Sequence, residues 1–594
     1  MATDSIDSSE NPSFGGARYA RIGLLLLLIA AAVVPFLHLV ALVLTNYIDT
    51  PYYDTWSLYF RIAKFMNGGS SWWEFLHAQQ NEARPGFPRL LLFLLHSMNR
   101  NLGVVVALNI SLAVATAAIT LLILRKVNPG ISWLWLFAAS ALLNLNFFSV
   151  AQWQNWNWHN QVIMLLPNLF FVLAWLINVS SLPALGRSAL VSLCCAISTF
   201  CFANGLLQWF LVVPLAFGLS RKEKMRVWGL YLTAAIICFA LYFAGYKTPG
   251  DHHLDFKLFA KGNHLIPYFF AWVGSSLSAG SMALAQIWGG VLVLTFILLV
   301  LQCLRIWRAD GLQVGWLPWL SMSCYALISG ALADAARSHI GLEQALRPRY
   351  CTISQWFIVG IVGLSVTLLR QDWGRKSTPT RAGIGLLSLL SVAFIWFTAR
   401  HEVYAMGQWK EFAETMHFQK QSFGLEGKQP GQLWTFQFRP DKKQFVPIAY
   451  REMRKAGFLH NFYRSGKILP LLAANKTGAP SEGELTMATY LPPNEIKCRG
   501  WSIGGNSLAG NRVLIVLILP SGKVLAVADG PINQNRPDIL RAKRASSAAI
   551  AGFDLEFRVP KMDPGSYRLA AFRYGKSEKN YYPIGAPAAL EIRE

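Results

Sequence analysis

Charge is scarce in this sequence. Asp, Glu, Lys and Arg make up 14% of its 594 residues, where soluble globular chains carry about 25%. Acid is the scarcer sign: 31 Asp and Glu stand against 54 Lys and Arg, a formal net charge of +23. With 54% hydrophobic residues and a mean hydropathy of +0.35, the chain falls outside the ordinary soluble class and reads as an integral membrane protein. The basic excess admits nucleic acid, anionic lipid or a polyanionic substrate as partner. So apolar a chain sets nucleic acid aside, and the other two suit a protein working in or on a bilayer.

Paired cysteines are missing too. Of eight cysteines, Cys194, Cys195, Cys201, Cys238, Cys303 and Cys324 fall inside apolar stretches, Cys351 begins another, and only Cys498 stands apart. No CxxC pair or metal-ligand spacing occurs, so neither a disulfide framework nor a zinc site is expected. There is no internal repeat, no low-complexity run and no glycine-rich nucleotide loop in the basic connections.

What the chain does have is long apolar runs. A membrane-crossing helix needs about 20 mostly apolar residues. The first run, 22–44, follows Arg18 and Arg21 and is longer than a signal-peptide core of about 7–15 residues, so it reads as a retained helix in which Pro35 can kink the backbone. Further candidates are 103–124, 133–150, 161–178, 188–203, 206–219, 227–246, 286–304, 315–333, 351–369 and 383–399. Lys and Arg in short loops favour the cytoplasm, and those at 125–126, 187, 221–226, 305–308 and 370–381 fall on one side together with the N-terminus. That alternation closes with about eleven spans. Residues 265–284, rich in small side chains, break it if they cross, and read instead as a re-entrant or interface-lying segment.

The expected architecture is a polytopic α-helical membrane protein in four parts. Residues 1–17 are a disordered cytoplasmic tail. Residues 18–399 are the transmembrane domain, with a large first periplasmic loop at 45–102. Residues 400–480 are a helical, amphipathic, membrane-proximal segment. Residues 481–594 alternate apolar and polar between turn signals such as Asp563–Pro564–Gly565, the pattern of a β-sandwich.

The unusual polar residues gather in loops on one side. "DTPYYDTW" at 49–56 lies just beyond the first helix, and "RPGFPRLLLFLLHSM" at 84–98 has the pattern of an amphipathic helix lying on the bilayer. An acid in the first extracytoplasmic loop of a polytopic chain resembles the GT-C glycosyltransferases, which use polyprenyl-phosphate-linked sugars. One subset carries a Trp-Asp-Glu-Trp-like motif, then His-Asn-Glu-His-Arg and Pro-Arg-Leu-Leu. Here the matching positions read Tyr53-Asp54-Thr55-Trp56, Gln80-Asn81-Glu82-Ala83-Arg84 and Pro88-Arg89-Leu90-Leu91. Thr55 replaces the second acid, and Gln80 and Ala83 replace both histidines. A second loop, Gly341-Leu342-Glu343-Gln344-Ala345 leading to Pro348-Arg349-Tyr350, also resembles that group. Gly500–Trp501, "NRPDIL" at 535–540 and "AGFDLEF" at 551–557 look like a β module often fused to glycosyltransferases.

The resemblance implies an inverting transfer of a hexosyl or pentosyl group from a polyprenyl-phosphate carrier to a glycan or lipid-glycan acceptor. The setting is the periplasmic face of a bacterial inner membrane, in O-antigen or lipopolysaccharide modification, without a cofactor. Asp54 is then the general base, which must reach the acceptor hydroxyl at about 2.6–3.2 Å, with Asp49 as understudy; its plainer role is a helix cap. Glu82 either positions the acceptor or joins a salt-bridge cluster with Arg84 and Arg89. Guanidinium forks suit phosphate, so Arg349, Arg347, Arg84 and Arg89 are the candidate phosphate ligands, with Arg337 the weakest; lipid headgroups are the competing partner. Trp56, Asn81 and Tyr350 are sugar or acceptor contacts. In "QWQNWNWHNQ", Trp156, Trp158 and His159 could touch sugar or form an interfacial aromatic belt. Asp251, His252, His253 and Asp255 could ligate a divalent metal, but their spacing favours a solvated loop. His38 reads as a satisfied polar group within the first span. Rival readings are a transporter of lipid-linked sugars, which would carry polar residues inside its spans, an O-antigen polymerase, and a non-catalytic anchor for a glycan-binding domain.

Overall fold

The computed structural model describes residues 13–47, 51–248, 265–338, 341–372, 378–423 and 445–458, and the strands named below between 482 and 592. The chain divides into two compact units, Met1–Tyr47 with Ser71–Trp409, and Ile48–Ser70 with Lys410–Glu594.

The first unit is helical. Its elements are α1 (Ser13–Asn46), α3 (Trp72–His77), α4 (Gly86–Met98), α5 (Gly103–Val127), α6 (Trp133–Phe147), α7 (Trp153–Asn157), α8 (Val162–Asn178), α9 (Ala184–Thr199), α10 (Gln208–Leu211), α11 (Arg221–Phe243), α12 (Leu265–Val273), α13 (Met282–Asp310), α14 (Leu317–Arg337), α15 (Cys351–Asp372) and the start of α16 (Thr378–Phe423). Among the described residues, eight helices are long and apolar enough to cross a membrane. They coincide with the runs expected at 22–44, 103–124, 133–150, 161–178, 227–246, 286–304, 315–333 and 351–369. Helices suit such a setting because each satisfies its own backbone polar groups. The run at 383–399 lies within α16, and that at 188–203 is the 16-residue α9. Residues 13–17 belong to α1 rather than to a disordered tail, and residues 1–12 lie outside the described residues.

One expected span is corrected. Residues 206–219 are as apolar as their neighbours, but helix stops at Leu211. Pro214 and Gly218 disfavour helix there. Side chains from other helices take over its backbone groups: Asn178 donates to Val213 O at 2.9 Å and accepts from Leu215 N at 2.8 Å, and Ser321 donates to Leu211 O at 2.9 Å. Irregular backbone at membrane depth survives only when protein satisfies it in this way.

The segment read as re-entrant is a nine-residue helix, α12, followed by a 3₁₀ turn at Ser275–Leu277 and then α13. At about 1.5 Å per residue α12 is too short to cross. It lies backbone to backbone against α13: a Cβ on Gly274 would stand 2.1 Å from Ala285 O, and one on Gly289 2.0 Å from Phe270 O. Only glycine permits that approach.

The second unit contains α2 (Asp54–Met66), the end of α16, α17 (Phe445–Lys455) and nine strands. Helix α2 buries Thr55, Trp56, Leu58, Tyr59, Ile62 and Ala63, a helical stripe. It meets α17 and the turn after it edge-to-face through Phe60–Phe445 and Tyr59–Phe458, with ring centroids 5.2 Å apart in each pair, and Asn67 donates to the Glu452 carboxylate at 2.8 Å. The strands are β1 (Glu482–Leu491), β2 (Glu495–Ile503), β3 (Arg512–Ile518), β4 (Val524–Pro531), β5 (Gln534–Asn535), β6 (Ile550–Arg558), β7 (Gly565–Gly575), β8 (Asn580–Pro583) and β9 (Ala588–Ile592). They form two antiparallel sheets, ordered β1-β2-β6-β5 and β4-β3-β7-β8, with β9 also on β7. Ile496, Cys498 and Phe553 of one sheet share an apolar cluster with Val513, Ile515 and Leu569 of the other. Across β2 and β6, Arg499 and Asp554 stand in register and pair at 2.6 Å.

Candidate functional site

Charged and aromatic groups converge in the first unit at the C-terminal end of α14. Arg337 occupies its last turn, and its guanidinium donates to the Glu82 carboxylate at 2.7 Å and to the Tyr350 hydroxyl. Tyr350 closes the short 3₁₀ turn Pro348–Tyr350 that leads into α15. Proline at the head of that turn presets its backbone. Arg349 donates weakly to the same hydroxyl at 3.4 Å. Its guanidinium carbon lies 5.0 Å from the Tyr350 ring centroid and 5.9 Å from that of Trp158. Among the described residues no carboxylate pairs with Arg349. A half-buried cation flanked by two rings, with its charge uncompensated, is suited to receiving an anion.

The four arginines expected to share a phosphate have different tasks. Arg84 is buried and spends its donors on backbone carbonyls: Nε to Tyr242 O at 2.7 Å, Nη1 to His77 O at 2.6 Å and Nη2 to Ala244 O at 2.7 Å. It ties the 78–84 loop to the C-terminal end of α11, where carbonyls lack helix partners. Arg89 is wholly buried and donates to Phe75 O and Ala78 O at 3.1 and 2.7 Å. Both are corrected from phosphate ligands to struts of the loop. Arg347 is exposed. Glu82 does not cluster with Arg84 and Arg89; its partner is Arg337, the arginine that ranked last in the sequence. Asn81 is exposed with φ 49°, a conformation asparagine tolerates, and its carbonyl accepts from Gln79.

The tryptophan–asparagine segment folds inward. Trp156 is fully buried and donates through Nε1 to Ser149 O at 3.0 Å, so it is a core strut rather than a sugar platform. Trp158 is the ring of this group that meets Arg349. Asn155 donates to Arg349 O at 3.2 Å and to the Thr352 hydroxyl, fixing the main chain of the 3₁₀ turn from below. His159 is buried with neither ring nitrogen hydrogen-bonded, edge-on to Tyr47 at 6.2 Å. The segment is anchored from α16. The half-buried Glu402 carboxylate accepts from Ser149 Oγ at 2.5 Å and from Val150 N at 2.9 Å, capping the 3₁₀ turn Val150–Gln152. Its neighbour His401 accepts from Ala279 N at 2.9 Å, at a residue with φ 46°.

Asp54 and Trp56 belong to the second unit. Asp54 is the first residue of α2, half-buried, where a carboxylate complements the helix N-terminus. Tyr53 just before it has φ 45° and ψ −120°, a conformation that costs a bulky side chain on the order of 1–3 kcal/mol. Trp56 is buried within that unit. Asp49, the loop with Asp251, His252, His253 and Asp255, and the basic run at 541–544 lie outside the described residues. Among the described residues no group of three His, Cys, Asp or Glu side chains could hold a metal. Arg337, Asp334, Tyr268 and Glu402 are the residues that sequence reasoning left out or ranked low. Asp334 and Glu402 carried a usable signal, an acid at the end of an apolar run.

Comparison with protein-family models matches none of them, and comparison with curated proteins finds no match.

Proposed function

We propose that the chain is a GT-C-like membrane glycosyltransferase that moves a hexosyl or pentosyl group from a polyprenyl-phosphate carrier to a hydroxyl of a glycan or lipid-glycan, on the periplasmic face of a bacterial inner membrane. The observation that supports this reading is the Arg349 guanidinium, flanked by Trp158 and Tyr350 and matched, among the described residues, by no carboxylate. The carrier phosphate is its anion. Asp54, assigned from the sequence motif, accepts the proton of the acceptor hydroxyl. The acceptor oxygen forms its bond to the anomeric carbon from one face as the carbon–phosphate bond breaks on the other. The electron pair leaves on the phosphate, whose growing negative charge Arg349 stabilises, and the anomeric centre inverts. The two antiparallel sheets, which share one apolar cluster, fit a β-sandwich that presents a glycan-facing surface.

A second reading, a transporter of lipid-linked sugars, is favoured by the polar groups buried among the spans. Asn109, Asn168, Thr352 and Gln355 are all less than a tenth exposed. Mass spectrometry of surface glycans separates the two. A deletion strain complemented with wild type should regain a sugar that Asp54→Asn and Arg349→Gln fail to restore. Full restoration by Asp54→Asn would remove the transferase and leave the transporter.

A further inference from the structure

Near the end of α14 lie two buried polar groups that are incompletely satisfied among the described residues. Tyr268, on the short helix α12, is wholly buried, and among the described residues its hydroxyl has no hydrogen-bond partner. Asp334 on α14 is 5% exposed, and among the described residues its Oδ1 has none either, although Ser338 lies within hydrogen-bonding reach of the carboxylate. The two belong to one cluster, because Tyr268 is within electrostatic reach of Tyr350, Arg337, Asp334 and Arg349. Asp334 and Arg337 share a helix face at a spacing of three residues. Yet the Arg337 guanidinium turns to Glu82 and Tyr350, so Asp334 keeps acceptor capacity.

A buried carboxylate oxygen and a buried phenol without partners are costly, and their cost is recovered only when something hydrogen-bonds to them. The chemistry of that partner can be narrowed. A carboxyl group accepts from O–H or N–H donors, and a phenol both gives and takes a hydrogen bond. Arg337 and Arg349 disfavour a cation. Apolar lipid chains satisfy neither group. A neutral polyhydroxyl group meets both requirements, with an anionic neighbour for Arg349.

We infer that Asp334 and Tyr268 form the subsite for the hydroxyls of the sugar whose carrier phosphate Arg349 receives, with Asp334 accepting from hydroxyls of the ring and Tyr268 bonding a further one. This subsite rests on the transferase reading and adds to it which residues read the sugar. Because the subsite reads the sugar and Arg349 the phosphate, the pair would distinguish a loaded carrier from a spent one.

The test is binding by the full chain in detergent of short-chain polyprenyl phosphate, bare or bearing each of a panel of hexoses and pentoses, followed by tryptophan fluorescence. Wild type should bind one sugar-bearing carrier more tightly than the bare one. Asp334→Asn and Tyr268→Phe should each weaken that carrier about 10-fold or more, the scale of a lost hydrogen bond to a buried or charged group, and leave the bare carrier unchanged. Arg349→Gln should weaken both. Equal losses for both carriers in the Asp334 and Tyr268 variants, or no loss, would overturn the subsite while leaving the transferase reading in place. Wild type that binds no carrier, bare or loaded, would overturn both.

Discussion

Glu82 and Arg337 are 255 residues apart in sequence, and their side chains meet at 2.7 Å. The pair joins the first extramembrane loop to the end of α14, and through the Arg337–Tyr350 hydrogen bond it reaches the turn that carries Arg349. With the side chains 19% and 29% exposed, it lies between a surface ion pair and a buried one. In a double-mutant cycle, Glu82→Gln and Arg337→Gln should each lower stability, with a coupling of about 1–2 kcal/mol. Thermal unfolding of the four proteins in one detergent measures this, and purely additive losses would refute the pairing.

Arg84 and Arg349 should respond in opposite ways. Arg84→Lys removes a fork that holds three backbone carbonyls, at a cost of about 2–4 kcal/mol, and should lower the melting temperature sharply. Arg349→Lys keeps a charge and, among the described residues, ends no ion pair, so it should lower the melting temperature far less than Arg84→Lys. Activity should fall in both, but only the Arg84 loss should be recovered by lowering the assay temperature.

His96 gives a pH dependence with a defined sign. It lies buried on α4 with Nδ1 donating to Asn99 O at 2.8 Å, and burial pushes its pKa down from 6.5 to about 4. The unfolded chain therefore takes up a proton near pH 6.5 that the folded chain refuses until about pH 4. The stability contributed by the neutral ring is intact above pH 6.5 and is lost as pH falls towards 4, by about 3 kcal/mol in all. Melting temperatures of wild type and His96→Gln between pH 7.5 and 4.5 should converge towards the acid end. Parallel curves would exclude His96 as the source.

Glu402→Ala should act on the site from a distance. It strips the acceptor from Ser149 Oγ and Val150 N, at a cost of about 1–3 kcal/mol. It also loosens the segment whose Asn155 holds Arg349 O. Carrier affinity should drop, and Glu402→Gln, which keeps one acceptor oxygen, should recover most of it. A role confined to stability predicts lost melting temperature with unchanged carrier affinity at low temperature.

The membrane helices were legible because a 20-residue apolar run has few other uses. The run at 206–219 misled because composition does not report that Asn178, from another helix, substitutes for helical hydrogen bonds. Arg349 stood out through its motif. Arg84 and Arg89 did too, yet their partners are carbonyls distant in sequence or hidden in a loop, and nothing about an arginine's neighbours tells a phosphate ligand from a backbone strut. Tyr268 carried no signal at all: a tyrosine in "LIPYFFAWV" is one aromatic among several, and only the turn of α12 towards α14 gives it meaning.

Gly274 and Gly289 let α12 and α13 touch main chain to main chain. With no side chain at those two points to compress or slip, the approach of α12 to α13 is limited there by contact of rigid peptide planes. Even a single methyl at either glycine would act as a spacer, lifting the Tyr268 hydroxyl away from Asp334 while leaving every polar residue of the cluster intact.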